Sequence, residues 1–425
     1  MPVMRGYALA ALPILLGCAV ALSNPASAQA QSGFPRTRNV GVGERPLEGY
    51  EAAGIVVGTF TAYPKITLRS DYDDNILASD VDPISDVVFG MTPEIDVKSN
   101  WNRHEIALSA NSTITRHDKL KDEDATQWSV EAKGRADLST SATVNVDLAH
   151  NRLVEPRTSA AYLSTDLEPI RYDISTGSIA GSIDFTRVRL SSSVQFARYT
   201  YHDALLRTGG VISQDFRDYN DTSAVLRADY ALSPSIALFS EGSVGKSHYR
   251  SQSSTSDRDS SRSSVLAGVD MELTNLISGE LSVGYLDQEF DDPELSGFSG
   301  VHYRAKLRWF PTQLVTVSLS GTQTTSDSGL VGDAGLVTRD LNLQADYELR
   351  RNLIVTARVG YVDGDYEGID REDKRTEESV ALNYIMNRAV GLSLRYSHLH
   401  QTSSGADRGV SFTSNRIGVA LVLQR

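Results

Sequence analysis

From Phe60 onward the chain repeats one pattern: segments of about ten residues in which apolar and polar side chains alternate, separated by turn residues. The segment from Val301 to Trp309 carries Val301, Tyr303, Ala305, Leu307 and Trp309 on one parity, and His302, Arg304, Lys306 and Arg308 on the other. The segments starting at Leu341, Leu353, Val390 and Ile417 behave the same way. A period of two means a strand with one apolar face. Many such strands with no helical segment between them restrict the chain to a propeller, a solenoid or a barrel.

The connections narrow this further. Short turns fall near Asn100, Ser139, Phe185, Ser233, Asn275, Pro311, Arg351 and Asn387, about 36 to 48 residues apart. Between them lie longer polar stretches, such as Leu153 to Pro169, His202 to Gln214 and Asp363 to Lys374. Short turns at one end and long loops at the other mark a barrel that crosses an outer membrane. A propeller or solenoid would need a shared repeat motif, which is absent, and would not need alternating loop lengths. Two strands per unit gives about 18, within a range of 16 to 18, with both chain ends on the periplasmic side. The expected fold is all-β: a closed antiparallel transmembrane β-barrel of about 16–18 strands, preceded by a cleaved signal peptide.

Composition excludes the competitors. Charged residues make up 22 % of the sequence, too many for a bundle of membrane helices, and no stretch of the mature chain approaches the ~18 apolar residues of a helical span. The formal charge of −13 argues against nucleic acid as a partner.

The N-terminus has three parts: Arg5, an apolar run from Tyr7 to Leu22, then Pro25 with small residues at Ala26, Ser27, Ala28 and Ala30. That is the layout of a secretory signal peptide, and the run is shorter than a membrane anchor needs. Cys18, the single cysteine, sits in a weak lipoprotein-like frame, but the apolar run continues past it and a better cleavage frame lies downstream. Cleavage after Ala28 or Ala30 leaves no cysteine for disulfides or thiolate metal sites. The expected organisation is a signal peptide over 1–28, a flexible periplasmic segment over 29–58 that could instead tuck into the barrel mouth, and the barrel over 59–425.

Aromatic residues recur near strand ends. Trp101, Phe185, Tyr230, Trp309, Phe310, Tyr347 and Tyr384 lie near short turns. Tyr72, Tyr201, Tyr219, Tyr249, Phe290, Tyr361 and Tyr396 lie near long loops. Together they are candidates for two interfacial girdles.

A charge on the lipid face near the midplane costs ~2–4 kcal/mol, so the polar parity of each strand should face the lumen. This nominates His302, Arg304, Lys306, Arg308, Arg358 and Arg227 as pore-lining, with the acids Asp229, Asp346 and Glu348 among them. Arg187, Arg189, Glu131 and Asp137 follow by the same rule. Two readings stay open: a wall that selects anionic or sugar-acid solutes, and ion pairs that brace a wide barrel. The acidic run Asp71 to Asn75 is either a divalent-cation site or a solvated loop.

No Gly-x-Ser-x-Gly, His-Glu-x-x-His or phosphate-cradling motif is present, and the eight histidines are scattered. The chain is read as a non-enzyme without catalytic residues, metal or cofactor.

Short motifs then occur in a specific order. Arg45-Pro46-Leu47-Glu48-Gly49-Tyr50, Gly58-Thr59-Phe60 and Tyr63-Pro64 lead into Tyr72-Asp73-Asp74-Asn75-Ile76 and Ser99-Asn100-Trp101. Gln214 to Asp218, Tyr230 to Pro234, Asp257 to Ser260, Tyr347 to Leu353, Tyr396, His398 and Asn415-Arg416 continue the series. In these the chain resembles the putative beta-barrel porin 2 family of Gram-negative outer-membrane proteins, over nearly all of its mature length. It departs from many barrels in ending on Arg425 rather than an aromatic. The resemblance implies an outer-membrane location and a porin-like conduit, for exopolysaccharide export or passive solute diffusion. The partners it implies are outer-membrane lipid and lipopolysaccharide, periplasmic polysaccharide-export proteins and polysaccharide itself. The alternative is a plugged structural or surface-binding barrel that acts through its loops.

Overall fold

The computed structural model describes residues 40–159, 167–251, 258–274, 276–326, 328, 330 and 335–425. Residues 1–28, read from the sequence as a signal peptide, and residues 29–39 lie outside the described residues, as do Asn275 and parts of three long loops. Eighteen antiparallel strands form the wall. They are β1 (Phe60–Asp73), β2 (Asp86–Ser99), β3 (Glu105–His117), β4 (Ala125–Asp137), β5 (Ala142–Val154) and β6 (Arg171–Asp184). There follow β7 (Val188–Tyr201), β8 (Tyr219–Ser233), β9 (Ile236–Tyr249), β10 (Ser260–Leu273), β11 (Ile277–Phe290) and β12 (Phe298–Thr312). The last six are β13 (Val315–Ser326), β14 (Gly335–Arg350), β15 (Leu353–Glu367), β16 (Glu372–Ile385), β17 (Val390–Ser404) and β18 (Phe412–Gln424).

Every strand pairs with its sequence neighbour, and β18 pairs with β1 from Lys65↔Gln424 to Asp73↔Arg416. That last ladder closes the barrel and removes the free edges an open sheet would leave, which lipid cannot satisfy. Where β18 stops, a short strand Ile55–Val57 pairs with the exposed start of β1, Ile55↔Ala62 to Val57↔Phe60. Among the described residues no helix is long and apolar enough to cross a membrane.

The eight short turns fall where the sequence places them, and the register slips by one residue before three of them, between Ala231 and Ser233, Trp309 and Thr312, and Glu348 and Arg350. Such bulges add local twist at a strand end.

The period of two holds along the wall. Leu226, Leu238, Val244, Val265, Val283, Val301 and Leu343 are exposed on the outer face, while Arg227, Phe239, Leu266 and Asp346 on the other parity are buried. Trp101, Phe185, Tyr230, Trp309, Tyr347 and Tyr384 are exposed at the short-turn end, as a girdle requires. Phe310 is not among them: it is buried, on the inward parity of β12. At the other end Tyr72, Tyr361 and Tyr396 are exposed, but Tyr201, Tyr219 and Tyr249 are buried inside the barrel.

Glycines sit where the wall must accept a long side chain laid across it. A Cβ on Gly90 of β2 would collide with the Arg69 side chain, and one on Gly418 of β18 with the Asp71 carboxylate. Both flank β1 in register, Arg69↔Gly90 and Asp71↔Gly418.

Candidate functional site: the barrel lumen

Ion pairs that skip strands define the inner surface. Arg304 of β12 donates to Glu241 of β9 at 3.0 Å and approaches Glu280 of β11 at 3.3 Å. Arg227 of β8 donates to Glu280 at 2.9 Å and to Asp229 at 2.8 Å, with its guanidinium 3.7 Å from the Phe239 ring centroid. Adjacent strands lie ~4.8 Å apart, so side chains three strands apart meet only on the concave side of the wall. Arg227, Arg304, Asp229, Glu241 and Glu280 are therefore one luminal cluster, with three acids around two arginines.

The other residues nominated from the sequence join it unevenly. Arg308 makes a two-bonded pair with Glu44, and Lys306 between the two arginines has no ion-pair partner among the described residues. His302 lies beside Gly284 on the same inward face. On the wall built by β14 and β15, Arg358 donates to Asn342, and Asp346 accepts from Gln344 and from Thr356 at 2.8 Å. Glu348 faces Arg45 at 3.6 Å. Arg189 pairs with Asp184 inside, whereas Arg187 sits in the turn before β7, where strand parity no longer applies. Lys133 pairs with Glu131, and Arg135 with Asp137.

Two segments from outside the wall enter this space. At the short-turn end, a 3₁₀ turn at Val42–Glu44 places Val42, 1 % exposed, against the wall, where its amide donates to Thr316 Oγ1 at 2.9 Å. Arg388 donates to the Gly49 carbonyl. At the long-loop end, the connection from β5 to β6 folds inward. Arg157 forks onto Glu123 at 2.6 and 2.9 Å, and Glu155 receives Arg217 at 2.8 and 3.0 Å, all four side chains being buried. Beyond them the Thr158 carbonyl accepts from Arg375 of β16 at 3.0 Å. Going round the wall, six strands separate β5 from β16, so residues 155–159 reach across the end of the lumen.

Under this loop lies a packed aromatic row, three of whose members, Tyr201, Tyr219 and Tyr249, the sequence placed at the membrane surface. Tyr199 and Tyr219 stack at 4.3 Å, Tyr219 and Tyr249 at 5.2 Å, and Tyr172 and Tyr201 at 5.3 Å. The Arg217 guanidinium covers Tyr201 at 4.0 Å and Arg258 covers Tyr249 at 4.4 Å. The signal was present: Tyr219 lies eight residues from Arg227 on one strand, so parity puts both on one face. The segment His202 to Gln214 forms a small hairpin, Ala204–Leu206 with Gly210–Ile212, whose Leu205 carbonyl accepts from the Leu167 amide.

The acidic run of the first long loop is consumed locally. Asp73 holds Arg416 and Ser414, Asp74 holds Asn415, and Asn75 donates to the Ser79 and Thr413 carbonyls.

A sequence model described as putative beta-barrel porin 2 matches residues 48–425. The chain belongs to that family. It is thus a porin-type barrel of the outer membrane; its short turns face the periplasm and its long loops the cell exterior. Solved structures similar to the porin include Pseudomonas aeruginosa OpdK with vanillate, at 13 % identity, 86 % of this chain, 99 % of that chain and a TM-score of 0.44. A BenF-like porin from Pseudomonas fluorescens Pf-5 matches at 11 % identity, with 86 % and 99 % covered and a TM-score of 0.45. A mutant of the ferric enterobactin receptor PfeA of Pseudomonas aeruginosa matches at 9 %, with 88 % and 81 % covered and a TM-score of 0.46. No curated protein sequence matches it.

Proposed function

We propose that this porin is a passive, constricted channel for small hydrophilic solutes. The observation that carries the reading is the inward-folded loop 155–159, pinned by Arg157–Glu123 and Arg217–Glu155 and touching Arg375 on a distant strand. A barrel of 18 strands is wide enough to leave an aqueous channel, and a loop folded into it sets the size of what passes. The wall offers paired charges together with Ser, Thr, Asn and Gln side chains, which suits polyhydroxylated solutes more than strongly charged ones. Lipid and lipopolysaccharide surround the apolar outer face in this reading.

Export of an exopolysaccharide, with periplasmic export proteins as partners, is the finer reading suggested by family resemblance. It requires residues 155–159 to leave the lumen while the polymer passes. Planar-bilayer conductance and liposome swelling with neutral sugars of increasing size test the proposal. Uptake should fall steeply above the size of an oligosaccharide of a few units. Absence of conductance would overturn the channel reading in favour of a plugged barrel that works through its loops.

A further inference from the structure

The outer face carries a cationic patch that neither the lumen nor the constriction uses. Register places Arg198 of β7, Asn220 of β8 and His248 of β9 side by side. One outward position nearer the membrane, Thr222 stands beside Lys246. Arg198, Lys246 and His248 share the outward parity of Val194, Phe196 and Val244, which are exposed apolar side chains below them on the same strands.

The height of the patch is set by strand geometry. Tyr230, in the periplasmic girdle, pairs with Val188, and Arg198 lies ten residues further along β7. Ten residues at ~3.3 Å, tilted by about 40°, climb about 25 Å, the thickness of the apolar band. Arg198 and His248 therefore emerge at the outer headgroup level. Lys246, slightly deeper, reaches that level by extending its stem.

Neither Arg198 nor Lys246 has an acid or hydrogen-bond partner among the described residues. Of the nearby acids, Asp173 binds Arg152 and His202, Asp259 is held at the edge of the patch by His248 Nδ1, and Glu289 stands two strands from Lys246 on the far side of Ser261. His248 keeps Nε2 as its remaining polar ring atom.

Two exposed cations at the boundary of the outer leaflet form an incomplete site, and what completes it is an anion fixed at headgroup height. The geometry points to a binding site for a phosphate of the outer-leaflet glycolipid, the lipid A moiety, held by Arg198 and Lys246, with Asn220, Thr222 and His248 as further hydrogen-bonding groups. Arg198 and His248 are two strands, about 10 Å, apart at the backbone, a gap that long side chains close around a tetrahedral anion. Lipid headgroups of the outer leaflet are the anions present at that height, and juxtamembrane basic residues are drawn to anionic lipid surfaces.

The test uses the whole porin in detergent micelles, with bisphosphorylated lipid A titrated and binding read by native mass spectrometry. The Arg198→Gln/Lys246→Gln double variant should bind at least about tenfold more weakly, while Arg198→Lys should retain most of the affinity. Lipid A stripped of both phosphates should bind the unaltered porin as weakly as the double variant binds intact lipid, an arm that needs no variant to fold. Millimolar inorganic phosphate should not displace the lipid. Equal affinity of porin and double variant, indifference to phosphate removal, or displacement by inorganic phosphate would each overturn the assignment.

Discussion

Glu44 and Arg308, 264 residues apart in sequence, meet in a two-bonded ion pair at 2.6 and 2.9 Å across the periplasmic end of the lumen. With Val42 on Thr316 and Arg45 near Glu348, this pair fastens the segment before β1 to the opposite wall. The pair is solvent-exposed, so it contributes little to stability, and its weight is in position. Glu44→Gln should raise single-channel conductance and leave the heat-modifiable gel shift intact. Planar-bilayer recording measures this, and an unaltered conductance would mean that the segment does not narrow the path.

The constriction loop depends on buried charge. Arg157→Ala leaves the buried Glu123 with only the long contact to Arg207 at 4.0 Å, a penalty of up to about 3–5 kcal/mol. The loop should then release, because the wall ladders do not involve it. Protease cleavage within residues 155–159 should speed up in intact cells, and the size limit for sugars should rise. A loop that stays protected would show that Glu155–Arg217 suffices to hold it.

Charge substitution in the lumen has a definite sign. Replacing Arg304, Lys306 and Arg308 together by Gln leaves Glu44 without its cation and leaves Glu241 and Glu280 with Arg227 alone. Reversal potentials in a salt gradient should move toward cation selectivity, and passage of acidic sugars should weaken. The barrel should still assemble, since the exposed outer face is unchanged. Lys306→Gln alone should give a smaller shift of the same sign.

Tyr219 touches two rings in the buried aromatic row. Tyr219→Ala should cost about 3–5 kcal/mol through lost packing and a cavity. The temperature at which the folded band disappears from unboiled gels should fall. Tyr219→Phe, which keeps the ring but loses the hydroxyl's hydrogen bond to the buried Tyr199, should lower it less, by about 1 kcal/mol of stability.

The sequence by itself determined a strand number of 16 to 18, the alternation of short turns and long loops, and which parity of each strand meets lipid; closure of the wall fixed the number at 18. Those follow from local rules, since a period of two and a cluster of turn residues are read within a dozen residues. It also nominated Arg227, Arg304 and Asp346 as inward residues, because a charge on the lipid face is costly. Tyr219 and Phe310 were legible by the same parity but were placed instead by nearness to strand ends, a weaker signal for residues that favour both settings.

Only the tertiary structure decided which charges meet. Arg304 finds Glu241 because closure curves β9 and β12 toward a common interior, and no spacing in the sequence encodes that curvature. The same holds for Glu44 on Arg308 and Thr158 on Arg375: irregular segments carry no periodicity, and their contacts form only after the wall has closed and set its opposite sides a fixed distance apart.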